Sequence, residues 1–197
     1  MSIVVQHDKR RKGILEKALT VFIDEGFENA TFQRIADRCG ITRTTLYLYF
    51  KNKKEIFKYS IKQMLTEIEE KLNVICSDKS IGSVEKITKV LLEIFKLLEH
   101  NRLLLAVILD YLLHDKKSES YADKRIRRRT VKLRHILSSL VIEGISQGQL
   151  KKVKIKTASN YLYSFITAAI FHLVILKQKS IEELKEMTIF AVKRMAV

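Results

Sequence analysis

The chain has 197 residues, 47% of them hydrophobic and 30% charged, which excludes disorder as the main state and allows one ordinary domain or a small one joined to a larger one. Lys plus Arg number 37 against 22 for Asp plus Glu, a formal charge of +15 that favours polyanionic partners, nucleic acid or an anionic membrane surface. Proline is absent and glycine numbers six, so a turn-dense β fold lacks its punctuation, nothing prevents long helices, and the expected class is all-α.

The opening MSIVVQHDKRRK has an apolar run too short for the h-region of a signal peptide, so no secretion is expected. From Lys9 to Glu25, Ile14, Leu15, Ala18, Leu19, Phe22 and Ile23 recur at helical spacing, and Gly26 supplies a left-handed stop. Thr31 can cap a short helix through Arg38 that turns Phe32, Ile35, Ala36 and Cys39 inward, with Gly40 allowing a sharp turn. Thr42 then caps a second short helix, Arg43 to Phe50. Cys39 and Cys76 lack CxxC or Cys/His spacing, which speaks against a disulfide framework or a zinc site and fits a reducing cytoplasm.

After Asn52 the helical pattern resumes and runs to the polar break SDKSIGS, which places the domain change near Lys51: 1–50 as one domain, 51–197 as the other. Ser83 caps a helix carrying Ile87, Val90, Leu91, Ile94, Phe95 and Leu98. Asn101 starts another, apolar all round from Leu103 to Leu109 and expected to be central and buried. A long helix is predicted from about Ser118 to Gln147, then two more over Lys154–Lys177 and Ser180–Met195.

The stretch TFQRIADRCGITRTTLYLYFKNKKEI, Thr31 to Ile56, carries the functional signal. Two short helices joined by a glycine-containing turn, with small Ala36 at the crossing and Ile35, Cys39, Ile41 and Leu46 as shared core, make a helix-turn-helix whose second helix would enter a DNA major groove. Its exposed set, Thr42, Arg43, Thr44, Thr45, Tyr47 and Leu48, is rich in hydroxyls, holds one guanidinium and no acid, and suits phosphate oxygens and base edges.

Thr31, Ile35, Ala36, Gly40, Ile41, Thr42, Leu46, Tyr47, Tyr49, Phe50, Asn52, Lys53 and Ile56 match the signature of the TetR family of bacterial transcriptional regulators, which the segment closely resembles over about residues 9 to 60. Cys39 and Thr44 depart from it, standing where Ala and often Gly occur. The resemblance implies a helix-turn-helix DNA-binding domain followed by a larger helical domain for ligand binding and dimerisation. It implies that Tyr47 and Lys53 meet phosphates, with Thr31 and Thr45 adding hydroxyl contacts and Thr42 serving as cap and contact. Arg43 would read guanine by a bidentate contact and Thr44 a thymine methyl, while Leu48 and Tyr49 complete the surface. Ahead of the first helix, His7, Lys9, Arg10, Arg11 and Lys12 form a basic arm with two readings, a contact to flanking phosphates or the minor groove, and a solvated tail.

The uncharged run Thr157 to Leu176 is long enough to raise a transmembrane reading. Against it, Thr157, Asn160, Ser164 and Thr167 form a polar stripe opposite Leu162, Phe165, Ile166, Ile170 and Leu173. The TetR resemblance instead implies that this helix and the last one build a four-helix dimer interface, with Ala168 and Ala169 allowing close approach. It also implies an effector cavity in the larger domain, for which Phe95, Leu104, Tyr111, Tyr163, Phe165 and His172 are aromatic or apolar candidates and Asp110 and His114 polar ones.

Asp110 and His114 lie four apart but lack a third ligand, so no metal is expected, and no cofactor either. The basic run Lys124 to Arg134 reads as a solvated helix face or as an anion contact. No P-loop, nucleophile elbow, HExxH or Rossmann glycine pattern supports enzyme chemistry. The expectation is therefore a cytoplasmic, homodimeric, all-helical repressor that leaves a palindromic operator when a small molecule binds. Its rivals are an effector-independent DNA-binding regulator and a peripheral membrane protein.

Overall fold

A computed structural model describes residues 3–114 and 121–197, with side chains except at 3–6, 113–114, 121–127 and 129. The described elements are α1 (Ile3–Glu25), α2 (Phe32–Cys39), α3 (Arg43–Tyr47), α4 (Lys53–Ser77), α5 (Ser83–His100), α6 (Arg102–His114), α7 (Tyr121–Ser146), α8 (Ile155–Ile170) and α9 (Glu182–Met195). The all-α expectation is met. Extended pairing among the described residues is limited to an isolated bridge between Leu150 and Ala196. The chain forms two compact units, Met1–Gln63 with Leu103–Lys124, and Met64–Arg102 with Arg125–Val197. Residues 1–50 fall wholly within the first.

In the first unit α1 lays Ile14, Leu15, Ala18, Val21 and Phe22 against Ile35 and Ala36 of α2, all of them buried. Phe27, Phe57 and Tyr111 close the core as an aromatic cluster: Phe27 meets Phe57 at 4.9 Å between ring centroids, and Tyr111 stands edge-on to Phe27 at 5.0 Å. Such pairs add ~0.5–1.5 kcal/mol each beyond the area they bury. The helix from Asn101 onward is less enclosed than its apolar run suggests. Leu104, Leu105, Val107 and Ile108 are buried, but Leu103 is 43% exposed, because only one face of α6 is covered within its unit.

In the second unit α5 packs Ile87, Val90, Leu91, Ile94, Phe95 and Leu98 against α8 (Leu162, Ile166, Ala169) and α9 (Leu184, Ala191, Val192), all buried. Polar clasps fix the ends of this layer. Glu99 accepts from the Ile181 backbone N–H at 3.1 Å and from Lys185 at 2.9 Å, and the buried Lys86 pairs with Glu143 at 3.1 Å. Gly144 is where α7 meets the following turn. A Cβ there would lie 2.6 Å from Leu150 Cδ1 and 2.8 Å from Leu150 Cγ, so the approach requires glycine.

Several boundaries differ from those read off the sequence. α1 begins at Ile3 rather than Lys9, since no proline interrupts the run and the helix continues through Asp8 and the basic residues. The basic segment is therefore helical and not an arm ahead of the first helix. α3 ends at Tyr47, after which Tyr49 and Phe50 N–H groups both return to the Leu46 carbonyl. α8 gives way at Phe171–Ile175 to a wider π turn, in which Leu176 N–H reaches back five residues to Phe171 at 3.2 Å. Ile155–Ile175 is long and apolar enough to cross a membrane by length and composition alone. The start expected at Ser118 and part of the run Lys124–Arg134 lie outside the described side chains.

Candidate nucleic-acid interface

The helix-turn-helix is built by local chemistry. Thr31, in extended backbone, caps α2 by accepting the Arg34 N–H at 3.1 Å. Gly40 ends α2 with φ +68, a left-handed value costly for any residue with a Cβ, and Ile41 N–H returns to the Ala36 carbonyl at 3.1 Å. Thr42 then caps α3, accepting the Thr45 N–H at 3.0 Å, and its hydroxyl pairs with that of Thr45 at 2.8 Å. Ile35, Ala36, Leu46 and Phe50 are buried beneath, so the outward face of α3 is defined by what is left: Thr42, Arg43, Thr44, Tyr47 and Leu48 are exposed, Thr45 half-buried.

Two of these side chains occupy one another. Arg43 Nη2 donates to the Tyr47 hydroxyl at 3.0 Å, its guanidinium lies 5.5 Å from the Tyr47 ring centroid, and Phe32 supports that ring from α2 at 4.8 Å. Tyr47 is still 48% exposed and Leu48 is 75% exposed. Tyr49, half-buried, stacks on His7 of α1 at 4.7 Å. Arg11, from the same helix, places its guanidinium 4.8 Å from the Phe50 ring and 4.1 Å from that of Tyr59.

Lys53, at the start of α4, has a structural commitment that the sequence does not reveal. Its ammonium donates to the carbonyls of Phe27 at 2.8 Å and Glu28 at 2.6 Å, and stands 5.1 Å from the Phe27 ring. Burial pulls it below the ordinary lysine range, against the opposing pull of Glu28. One of its three N–H donors remains for a phosphate. Asn52 caps α4 through the Glu55 N–H at 2.9 Å, and the Glu55 carboxylate accepts the Lys51 N–H.

Two grooves border this surface. One of ≈460 Å³ lies between α1 and the α2–α3 turn, lined by Lys9, Arg10, Gly13, Ile14, Lys17, Cys39 and Ile41. The other, ≈780 Å³, is lined by Arg10, Gln33, Asp37, Gly40, Ile41, Thr42, Arg43 and Thr45. Phe32, His7, Arg10 and Arg11 therefore support or flank the face in ways that the motif alone does not signal. Helical phase is the available clue for the basic residues, since Lys9, Gly13 and Lys17 are four apart and share one side of α1.

Residues 14–59 match the family model for bacterial regulatory proteins of the tetR family. The Bacillus subtilis HTH-type transcriptional regulator YfiR is 31% identical over 157 residues, which cover 75% of this chain and 71% of that one. The chain belongs to the TetR family. As a TetR-family protein it is a DNA-binding transcriptional regulator. The Bacillus subtilis fatty acid metabolism regulator protein is 26% identical over 169 residues, 84% of each chain. The crystal structure of the Bacillus subtilis transcriptional regulator FadR in complex with stearoyl-CoA shares the fold, with a TM-score of 0.64 at 24% identity over 93% of this chain and 95% of that one.

The eight effector candidates do not gather in one unit. Leu104, Asp110 and Tyr111 belong to the first, where Leu104 is buried and Tyr111 completes the aromatic cluster. Phe95, Tyr163, Phe165 and His172 belong to the second. There Phe95 is fully buried, and Tyr163 sits 3.5 Å from the Thr130 hydroxyl with Arg134 over its ring at 4.6 Å. Phe165 meets Tyr161 edge-on at 5.3 Å, and His172 Nδ1 lies 2.8 Å from Gln178 Oε1. The His114 side chain lies outside the described residues. Among those described, no group of three or more His, Cys, Asp or Glu is placed to hold a metal ion.

Proposed function

We propose that this TetR-family regulator is a homodimeric repressor that acts by binding and not by catalysis. It holds a palindromic operator in the cytoplasm through α3 of each copy and releases it when a small molecule occupies residues 51–197. The observation that carries the reading is α3 itself: a helix with its apolar side sealed by Leu46 and a free face of Thr42, Arg43, Thr44, Tyr47 and Leu48. Arg43 reads a guanine and Thr44 a thymine methyl, while Tyr47, Thr31, Thr45 and the remaining Lys53 donor serve phosphates.

A second copy fits the exposed stripe of α8, where Thr157, Asn160, Tyr161, Ser164 and Thr167 recur at helical spacing and Phe171 continues it into the π turn, beside Met187 and Phe190 of α9. Ala168 is on the half-exposed side, whereas Ala169 is spent in the unit's own core. Pairing matters because two recognition helices reach successive major-groove faces only when separated by about one DNA turn, ~34–36 Å, or a multiple. Relatives named for fatty-acid metabolism, and a fold neighbour crystallised with stearoyl-CoA, make long-chain acyl-CoA the first effector class to test. Emptying an occupied operator from 99:1 to 1:99 requires ~10⁴-fold differential affinity, ~5.5 kcal/mol, between the two conformations.

Selection of bound duplexes from a random pool tests the reading. An inverted repeat supports it, and recovery of no common sequence overturns it.

A further inference from the structure

We propose that the groove between α1 and the α2–α3 turn is a second DNA site, in which Lys9, Arg10 and Lys17 hold a backbone phosphate beyond the reach of α3. The inference rests on the DNA-binding reading of α3 and extends the contact surface onto α1. Lys9, Arg10 and Lys17 line one concavity of ≈460 Å³, and none of them is in an ion pair among the described residues. Lys9 and Lys17 stand about two turns apart on α1, ~12 Å by helical rise, and all three side chains are exposed, so an anion entering the concavity meets positive charge at both of its ends. The thiol at the groove floor adds no negative charge, because burial pushes Cys39 up against the pull of Lys17 and Arg10.

The choice of DNA as the polyanion follows from continuity. Arg10 and Ile41 line both this groove and the one that holds Thr42, Arg43 and Thr45, so one cationic track leads from α1 to the reading face. The acid along that track, Asp37, accepts from Gln33 at 2.8 Å. Gly13 keeps the α1 wall bare. A Cβ built there meets nothing within 4 Å, so a sugar–phosphate chain can approach the helix backbone.

The test measures affinity for two probes, a duplex selected from a random pool and a random-sequence duplex, as a function of salt. Replacing Lys9 and Lys17 together with alanine should flatten the log–log salt slope by about 0.9 for each phosphate no longer neutralised and weaken both probes by the same factor. A matched control, Lys71→Ala with Lys96→Ala, removes the same charge from exposed positions of the second unit and should leave the slope near that of the parent. Gly13→Glu and Gly13→Gln fill the groove equally, and both raise helix propensity over glycine, so the fold is retained. The carboxylate variant should bind both duplexes at least several-fold more weakly than the amide variant. If the parent binds its selected duplex while the lysine pair leaves the slope intact and the two Gly13 variants bind alike, the groove assignment fails and the α3 reading stands. If the parent binds neither probe, both fail.

Discussion

Arg43 spends one of its five N–H donors on the Tyr47 hydroxyl in the free protein, and that pairing couples what their loss should do. Arg43→Ala removes the proposed base reader and should cost ~1–3 kcal/mol of operator binding and relax preference at one base pair, read by competition with single-base operator variants. Tyr47→Phe deletes the hydroxyl that accepts from Arg43 Nη2 and that is proposed to meet a phosphate. Operator affinity should fall while the helical spectrum stays as in the parent. Lys53→Ala should behave differently from both. Its ammonium ties α4 to the carbonyls of Phe27 and Glu28, so thermal stability of the first unit should drop along with affinity for every sequence. A variant that lost affinity at full stability would assign Lys53 to phosphate alone.

At the scale of elements, the caps are where residue chemistry becomes architecture. Thr42→Ala takes away the acceptor for the Thr45 N–H and should destabilise by ~1 kcal/mol, within the usual ~0.5–2 for a lost cap, measured by thermal or urea denaturation. Gly144→Ala forces a methyl to within 2.6 Å of Leu150 Cδ1 and should cost about 1–3 kcal/mol by overpacking. The same local logic explains which elements could be read from sequence. Thr31, Gly40 and Thr42 each encode their own boundary through a side-chain oxygen or a left-handed backbone, so α2 and the start of α3 are legible from a few adjacent letters. The beginning of α1 is not, because Asp8 ahead of Lys9 looks like a helix start while the backbone is already helical from Ile3. Burial is legible for Phe95 and Leu104, whose helical spacing points them inward. Whether such a residue lines a cavity or fills space depends on partners distant in sequence, as Phe27 and Phe57 around Tyr111 show. Lys53 is opaque for the same reason, since its acceptors lie twenty-five and twenty-six residues earlier.

At the scale of the whole molecule, an exposed aromatic on α9 is the most economical probe of assembly. Phe190 is 61% exposed in a single chain, and Phe190→Glu would place a carboxylate in the proposed seam. Sedimentation should report a dimer for the parent and a monomer for the variant, with operator affinity falling in parallel, since each copy alone reaches one half-site. Titration with palmitoyl- or stearoyl-CoA should raise the melting temperature if the folded state binds it, with ~2.7 kcal/mol of stabilisation at a hundredfold excess over Kd. Release of the selected duplex over the same range would join the two functions.

The docking of Arg43 onto Tyr47 also has an optical consequence. The chain has no tryptophan and seven tyrosines, so its near-ultraviolet emission is phenolic throughout. If the guanidinium leaves to meet a guanine, as proposed, the ring it covered changes neighbours, and a tyrosine fluorescence or ultraviolet Raman change present in the parent and absent in Tyr47→Phe would report recognition separately from mere electrostatic capture.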